Sequence, residues 1–280
     1  MPVTDQELRE ALGGDSLLRR PWPYRASLPM EELDVQGRRL LLKDLSSSHD
    51  LPRPRLAPDP RREIAVYRDV LAPLAVDGTA RVAAADETAG RWLVLELVDG
   101  TPLWQIGELE TWEAAARWLA RLHALPVPTA EGLLCYDAAH LTERLTLAPG
   151  TERFAARVAE RLAALPARLI HGDFYPANIL VEGDDRIRVV DWETCGVGPA
   201  VLDLAALVSG RWSEQERERI VDAYFAECPS SLRPTRDDLL YARLLLAAQW
   251  IGWHDRWRPP PEQRHDWQAE LAELSERLGL

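Results

Sequence analysis

The stretch over residues 169–193 constrains the fold of this chain more than any other. It reads LIHGDFYPANILVEGDDRIRVVDWE. Two short apolar runs, 179–181 and 187–190, are separated by Glu182–Asp185, whose glycine and aspartates tolerate the dihedral angles of a tight turn. The pattern therefore predicts a β-hairpin whose second strand ends at Asp191.

Three polar side chains flank this hairpin, namely Asp173, Asn178 and Asp191. Aspartate and asparagine also cap turns, so Asp173 or Asn178 alone carries little functional information. Together the three suit phosphoryl transfer, which needs a group that orients or deprotonates the attacking hydroxyl and oxygen ligands for Mg²⁺. We predict that Asp173 is the catalytic group and that Asn178 and Asp191 bind the metal.

The segments HGDFYPANIL and VVDWE resemble the aminoglycoside phosphotransferase and choline kinase family, small-molecule kinases with the protein-kinase fold. Protein kinases carry H-R-D-x-x-x-x-N and D-F-G. Here Gly172 replaces the arginine and Trp192-Glu193 replaces Phe-Gly, which favours the small-molecule branch. The resemblance implies an α+β fold with two lobes: a small antiparallel-sheet N-lobe over 1–98 and a mainly helical C-lobe over 99–280.

Two charged residues before position 98 fit this resemblance. Lys43 ends an apolar strand and resembles the kinase lysine that contacts the nucleotide phosphates. Glu63 lies in the first turn of a helix predicted over 59–71, with Pro60 near its start, and resembles the glutamate that pairs with that lysine. Its alternative role is to offset the helix dipole.

The other nucleotide contacts are implied by the resemblance. The strand predicted over 91–98 looks like the hinge, whose backbone around Glu96 and Val98 would bind adenine. Kinases of this fold cover the phosphates with a glycine-rich loop, but the corresponding segment here, 24–30, contains no glycine. Backbone amides near Ser27 are the expected substitute. ATP and Mg²⁺ are the expected co-substrate and cofactor, and GTP stays open because hinge contacts are largely backbone contacts.

After the hairpin we expect a glycine-containing loop over 194–199 and then a helix from Ala200. Its Asp203 is expected to brace the segment from His171 to Asn178, which we call the catalytic loop. Apolar periodicity and capping boxes predict the remaining helices. These cover residues 4–12, 111–125, 138–148, 151–165, 214–226, 235–257 and 262–278.

The acceptor region is predicted from polar and aromatic residues near the metal site and near the C-terminus. The candidate substrate contacts are Glu193, Trp253, Asp255 and Trp257, with plain helix packing as the alternative for the tryptophans. The resemblance implies a small-molecule acceptor with a hydroxyl group. Aminoglycosides, aminocyclitols, nucleosides, choline-like alcohols and sugars all stay open.

Composition narrows the function classes. The formal net charge of −12 disfavours a nucleic-acid partner and mildly favours a cationic one. We expect no membrane span, because no run approaches eighteen uncharged apolar residues. Three well-separated cysteines and a charged, polar N-terminus favour a cytoplasmic location.

The sequence therefore predicts an ATP-dependent phosphotransferase acting on a hydroxyl of a small molecule, with an aminoglycoside-like or other cationic acceptor as one option. The alternative is a catalytically weak, kinase-like nucleotide-binding regulatory protein, which the glycine-free phosphate segment suggests. A protein kinase is disfavoured by Gly172, by Trp192-Glu193 and by the lack of an A-P-E segment. The sequence carries no signal for the oligomeric state.

Overall fold

The computed structural model describes residues 3–14, 16–24, 28–46, 58–130, 132–183, 185–210, 212–253 and 265–280. The predicted contacts at Ser27, Asp255 and Trp257 lie outside the described residues. Within these ranges the protein combines an antiparallel five-stranded sheet, two three-stranded sheets and a largely helical remainder. The predicted α+β class with an antiparallel N-terminal sheet is confirmed.

The five-stranded sheet lies in the N-terminal third of the chain. Its strand order is β1-β2-β3-β5-β4, and every neighbouring pair is antiparallel. Gln36 and Gly37 both adopt positive φ, 55° and 79°, which closes the tight hairpin between the second and third strands. The strands are β1 (Leu17–Pro21), β2 (Met30–Val35), β3 (Arg38–Asp44), β4 (Val82–Ala85) and β5 (Trp92–Glu96).

A first helix, α1 (Asp5–Leu12), covers the outer face of this sheet. Thr4 and Glu7 form its capping box, and Gly13 ends it in the left-handed conformation. Leu8 of α1 belongs to a small apolar cluster with side chains from β2, β3 and β5. The opposite face of the sheet contributes to the main core, which continues through the helical part of the chain.

The helix predicted over 59–71 is shorter and less regular than expected. An α-helical segment, α2 (Arg62–Val66), passes directly into a π-helical turn, Tyr67–Leu71, closed by the Ala72 amide donating to the Tyr67 carbonyl at 3.1 Å. Pro60 lies before the helix, where its carbonyl accepts from the Glu63 amide at 3.0 Å. The predicted apolar face is buried, so the local backbone, not the side-chain pattern, differs from the expectation.

The helical part of the chain follows the predicted segments closely. Ser213 and Glu216 form the predicted capping box of the seventh helix. None of the helices in the described residues combines the length and apolar character needed to cross a bilayer. The helices are α3 (Leu109–Ala124), α4 (Ala138–Leu145), α5 (Glu152–Ala163), α6 (Val201–Leu207), α7 (Glu214–Glu227), α8 (Arg236–Trp253) and α9 (Trp267–Leu278).

Two small sheets connect these helices to the region of the predicted hairpin. Their strands are β6 (Thr101–Pro102), β7 (Leu134–Cys135), β8 (Ala167–Ile170), β9 (Ile179–Glu182), β10 (Arg186–Val189) and β11 (Gly196–Pro199). The predicted hairpin is β9 and β10, which pair antiparallel. The predicted loop over 194–199 is wrong, because β11 pairs with both β7 and β8 and so satisfies its backbone in a sheet.

Candidate active site

The hairpin brings the metal-ligand candidates together through its backbone. Val189 pairs with Ile179 at the open end of the hairpin, and the next amide, that of Val190, donates to the Asn178 carbonyl at 3.0 Å. Asn178 and Asp191 therefore lie next to each other, although thirteen positions separate them in the sequence. The strand pairing explains why a short local motif can build this site.

Asn178 also holds Asp173. Its amide nitrogen Nδ2 donates to the Asp173 carbonyl at 2.9 Å and to the carboxylate Oδ2 at 2.8 Å. Burial and the nearby Asp191 carboxylate raise the pKa of Asp173 to about 7, against the opposing effect of the Asn178 hydrogen bond. The predicted catalytic residue is thus a carboxyl group whose charge is easily gained or lost near neutral pH, as a general base requires.

Buried hydrogen bonds fix the backbone before Asp173. The amides of His171 and Gly172 donate to the two carboxylate oxygens of Asp203, at 2.7 and 2.8 Å. The predicted bracing role of Asp203 is therefore confirmed. His123 Nε2 lies 3.2 Å from the same carboxylate, and its Nδ1 lies 2.8 Å from the Tyr224 hydroxyl. His123 is buried, and it supports the catalytic loop through Asp203.

The His171 ring bridges the catalytic loop and the second hairpin strand. Its Nδ1 accepts from the Asp173 amide at 3.3 Å, so the proton lies on Nε2, which is 3.0 Å from the Val190 carbonyl and donates to it. Burial lowers the pKa of His171, so the ring stays neutral. The bridge therefore links the segment that carries Asp173 to the backbone directly before Asp191.

A buried ion triad lies on the other side of Asp191. Lys43 Nζ donates to both Glu63 carboxylate oxygens at 2.9 and 2.8 Å and to Asp191 Oδ1 at 2.7 Å. Lys43 and Glu63 are 5% and 0% exposed. Burial alone would lower the pKa of Lys43, but Asp191 and Glu63 hold it above its ordinary value. Glu63 therefore contacts Lys43 directly, so offsetting the helix dipole is not its sole role.

The conformation of Asp191 is set by its neighbours. It adopts the left-handed region, with φ of 67°, and the next amide, that of Trp192, donates to Glu63 Oε1 at 3.1 Å. A non-glycine residue in this region is unusual and often marks a functional position. Glu63 thereby orients both the cation and the backbone that carries Asp191.

The hinge candidates occupy the end of β5. The Glu96 amide donates to the Arg81 carbonyl at 2.8 Å, and its carboxylate accepts from Arg188 Nη2 at 3.0 Å. The Glu96 side chain is thus engaged within the protein. Across the described ranges, the Val98 amide donates to no other residue, which leaves one backbone donor for a ligand.

An aromatic cluster surrounds Trp250 and includes Tyr175, which lies two positions after Asp173. The Trp250 indole nitrogen donates to the Tyr175 hydroxyl at 2.6 Å, and the Trp250 ring contacts Tyr175, Trp253 and Trp267 with centroids 5.4 to 5.6 Å apart. All four are half-buried. We call Tyr175, Trp250, Trp253 and Trp267 the aromatic wall. Of the predicted acceptor contacts, the structure places Trp253 in this wall.

Glu193 is held by its backbone. Its carbonyl accepts from the Arg62 guanidinium, which also donates to the Cys195 carbonyl at 2.9 Å. The sequence analysis did not identify Arg62, Tyr175 or Trp250 as contributors. The position of Tyr175, two residues after Asp173, could have indicated that it lies near the site. No feature of the sequence indicates that Trp250 contacts Tyr175.

Asn178 and Asp191 offer the donors that Mg²⁺ requires. Magnesium is usually bound through one or two carboxylates together with substrate phosphates. The Asn178 Oδ1 accepts no hydrogen bond from the described residues, because the amide nitrogen makes both contacts to Asp173. In the part of the chain that the structure describes, no group of three or more His, Cys, Asp or Glu residues could hold a metal. The donor set therefore fits a magnesium ion whose coordination is completed by phosphate oxygens and water.

Comparison with known proteins agrees with this geometry. The sequence profile of the phosphotransferase enzyme family (APH) matches residues 32–234, more than half of the chain. A thiamine kinase from Salmonella typhi is 33% identical over 109 residues, which are 35% of this chain and 36% of the relative. The alignment thus spans about a third of the length of that relative. The chain belongs to the phosphotransferase enzyme family.

Solved structures show the same fold at low sequence identity. The choline kinase LicA from Streptococcus pneumoniae superposes with a TM-score of 0.65 and 16% identity, covering 94% of this chain and 93% of that one. LicA in complex with AMP superposes with a TM-score of 0.67 and 14% identity, covering 98% of this chain and 96% of that one. The macrolide 2′-phosphotransferase MphH from Brachybacterium faecium gives 0.63 and 20%, covering 96% of each chain. The two-lobed, protein-kinase-like fold implied by the sequence is therefore confirmed.

Proposed function

We propose that this member of the phosphotransferase enzyme family is a small-molecule kinase, which transfers the γ-phosphate of ATP to a hydroxyl group. One observation carries the proposal. A short hairpin and its flanking turns hold Asp173, Asn178 and Asp191 side by side, with Asp191 bonded to a buried Lys43–Glu63 pair. This arrangement offers a base, two metal donors and a cation for phosphates within one connected cluster.

In this proposal Asp173 accepts the proton of the acceptor hydroxyl or orients that hydroxyl for attack. Asn178 keeps one carboxylate oxygen of Asp173 engaged at 2.8 Å, so the other oxygen can face the acceptor. Asp203 and His171 hold the backbone, so the carboxylate does not reorganise during the reaction. Fixed geometry of this kind is a main source of rate in phosphoryl transfer.

The residues proposed for the nucleotide follow from the same cluster. Lys43, oriented by Glu63, contacts the phosphates, while Asn178 and Asp191 hold Mg²⁺, which when bound neutralises charge on the phosphate oxygens. Backbone groups at Glu96 and Val98 bind the base, and amides around Ser27 complete the phosphate contacts. We further propose that residues 1–98 form the nucleotide-binding lobe and residues 99–280 the lobe with the catalytic loop and acceptor site.

The proposed acceptor is a small molecule that carries a hydroxyl and a positive charge. The aromatic wall offers ring faces that attract cations, and the net charge of −12 disfavours anionic molecules. Glu193, Asp255 and Trp257 are proposed as further acceptor contacts. The named activities of the relatives, on thiamine, choline and macrolides, support a small-molecule acceptor without identifying it.

Thermal unfolding with Mg-ATP, Mg-GTP or no nucleotide tests the nucleotide site, in wild type and in Asp191→Ala. A ligand that binds the folded state raises the midpoint by an amount set by its concentration relative to Kd. We expect a magnesium-dependent rise with ATP that is lost in Asp191→Ala. EDTA in place of magnesium is the control for metal-independent binding.

An acceptor screen by ADP release completes the test, with amino sugars, choline-like alcohols and neutral sugars of similar size. Turnover with a cationic alcohol and not with its neutral analogue is the expected result. A protein that binds Mg-ATP but releases no ADP with any of these acceptors would instead be the regulatory nucleotide binder. No midpoint shift with either nucleotide would contradict both functions.

A further inference from the structure

Tyr136 packs against Gly172 of the catalytic loop and against strand β11. It directly follows β7, is 2% exposed, and its amide donates to the Val197 carbonyl of β11 at 2.9 Å. Its hydroxyl donates to the Thr194 carbonyl at 2.7 Å. Burial raises the pKa of Tyr136 to about 12, so the hydroxyl keeps the proton that it donates.

Three glycines make room for this one side chain. A Cβ built on Gly172 would overlap the Tyr136 hydroxyl, one on Gly196 would come within 2.8 Å of ring atom Cε2, and one on Gly198 would overlap its Cβ. Gly172 also has a φ of 81°, which disfavours other residues. The absence of side chains at these positions lets the tyrosine ring touch the backbone of the catalytic loop and of β11.

A second hydroxyl continues the connection from Tyr136 to the loop. Thr194 Oγ1 donates to the His171 carbonyl at 2.9 Å, while the Thr194 carbonyl accepts from Tyr136. Thr194 ends the short 3₁₀ turn, Trp192–Thr194, that follows Asp191. Tyr136 and Thr194 therefore tie the segment after Asp191 to the segment before Asp173.

The outer face of the Tyr136 ring is covered by a buried guanidinium. The Arg144 Cζ lies 5.0 Å from the ring centroid, and the residue is 4% exposed. Arg144 donates to Gln249 Oε1 at 2.6 Å and to His140 Nε2 at 2.9 Å. Burial and Arg144 lower the pKa of His140 to about 4, so His140 is a neutral acceptor. These contacts hold the ring against the glycines.

We propose that Tyr136 is a positioning residue that sets the spacing between the catalytic-base segment and the metal-binding segment through Thr194 and the glycine-lined contact. The inference rests on the proposed kinase function. It adds a residue that acts together with the His171 bridge to fix the distance between the segments that carry Asp173 and Asp191.

The first test is Tyr136→Phe, which removes the hydroxyl and keeps the ring. We expect kcat to fall about tenfold, because small errors in the position of reacting groups are costly. The KM for ATP should change less than twofold, because Lys43, Glu63 and the hinge are untouched. A merely structural tyrosine would lower the unfolding midpoint and leave kcat unchanged.

Thr151→Val is the matched control. The Thr151 hydroxyl is equally buried, at 1% exposure, and donates to the Leu145 and Ala148 carbonyls at 2.7 and 2.8 Å, between α4 and α5. Its loss removes a buried hydroxyl bond without touching the catalytic loop. We expect a lowered unfolding midpoint and a kcat within twofold of wild type.

Amide hydrogen exchange gives a readout that does not depend on turnover. Tyr136→Phe should raise exchange in peptides covering 169–178 and 191–198, and Thr151→Val should not. In kinetics, Thr194→Val and Tyr136→Phe should be non-additive, because both interrupt one connection. Unchanged exchange at both segments, or additive effects, would overturn the proposal. If wild type transfers phosphate to no acceptor, the kinase function fails, and the exchange data still decide whether Tyr136 couples the segments.

Discussion

The proposed phosphoryl-transfer centre and the aromatic wall are built by different physics. The centre is made of charged groups joined by hydrogen bonds of 2.7 to 2.9 Å among Lys43, Glu63 and Asp191. The wall is made of aromatic rings whose centroids lie 5.4 to 5.6 Å apart, with one hydrogen bond between Trp250 and Tyr175.

In the proposed function, this difference separates the chemistry from the choice of substrate. Directional, charged contacts tolerate little displacement, so the centre needs particular residue types at fixed positions. Ring contacts are broad and tolerate repacking, so many aromatic arrangements can form a wall. We infer that the centre determines the reaction and that the wall determines the acceptor. The predictions below test the two regions separately, by changes confined to one region or the other.

The largest effect is expected for Asp173→Asn. Loss of the proposed base should lower kcat about a thousandfold, within the range for general-base removal. Nucleotide binding should be retained, because Asp173 does not contact Lys43 or Glu63. The measurements are ADP release and the Mg-ATP shift in the unfolding midpoint. A variant that keeps more than a tenth of wild-type kcat would assign the base to another group.

Lys43→Met should reduce the free energy of unfolding by about 3 kcal/mol, because it leaves the buried Glu63 carboxylate without its cation. Denaturant unfolding measures the loss. Arg39→Met is the control, since Arg39 is on the same strand and pairs with Glu32 at 2.9 Å with a side chain 53% exposed. An exposed pair should cost less than about 1 kcal/mol. Equal losses in the two variants would show that burial is not what makes the triad important.

As pH rises, deprotonation of Asp173 should lower the stability of the folded protein, whereas the proposed base needs this deprotonated form for activity. The pKa of this carboxyl rises from 3.8 to about 7 on folding, mainly through burial. The carboxyl therefore binds its proton more tightly in the folded state, so the wild type loses stability as pH rises from about 4 to about 7. Asp173→Asn removes this penalty.

In EDTA at pH 8 we expect the free energy of unfolding of Asp173→Asn to exceed that of wild type by about 2 kcal/mol. This is roughly half of what the full pKa shift would give, because the carboxylate is only half-buried. The gain should vanish near pH 4. Thermal or denaturant unfolding across this range measures it. A gain that is constant with pH would trace the effect to packing instead of charge.

The smallest effect is expected for Trp250→Leu, which disrupts the wall and leaves every charged contact in place. The KM for a cationic acceptor should rise about tenfold, corresponding to one lost cation–aromatic contact. The KM for ATP should not change. Trp104→Leu is the control, because Trp104 is 38% exposed and lies outside the wall. A raised KM for ATP would show that the wall also shapes the centre.

The centre could be predicted from the sequence because its parts are short-range. Asp173, Asn178 and Asp191 fall within nineteen positions, and one hairpin is enough to join them. Lys43 and Glu63 come from elsewhere, and the resemblance, not the residue spacing, indicated their pairing. Their roles toward nucleotide and metal stay predictions, although the structure forms an Asp173–Asn178 pair and a Lys43–Glu63–Asp191 triad that the hairpin backbone joins.

The rest depends on tertiary contacts that no local pattern records. The 194–199 segment is predicted to be a loop because of its glycines, yet residues 196–199 form a strand whose glycines leave room for Tyr136. The wall joins Tyr175 to helices α8 and α9 across more than seventy positions. Aromatic residues at helical spacing predict helix packing equally well, so the sequence alone does not indicate that Trp250 meets Tyr175.

The π-helical turn at Tyr67–Leu71 gives the chain a place where its length can change. A π-helical turn holds one residue more than the α-helical turn it replaces, so removing one residue there can restore regular α-helical hydrogen bonds. The turn follows Glu63, whose pairing with Lys43 lies on the preceding α-helical segment. Insertions and deletions at this site would therefore alter the path of the chain toward β4 while sparing the ion pair.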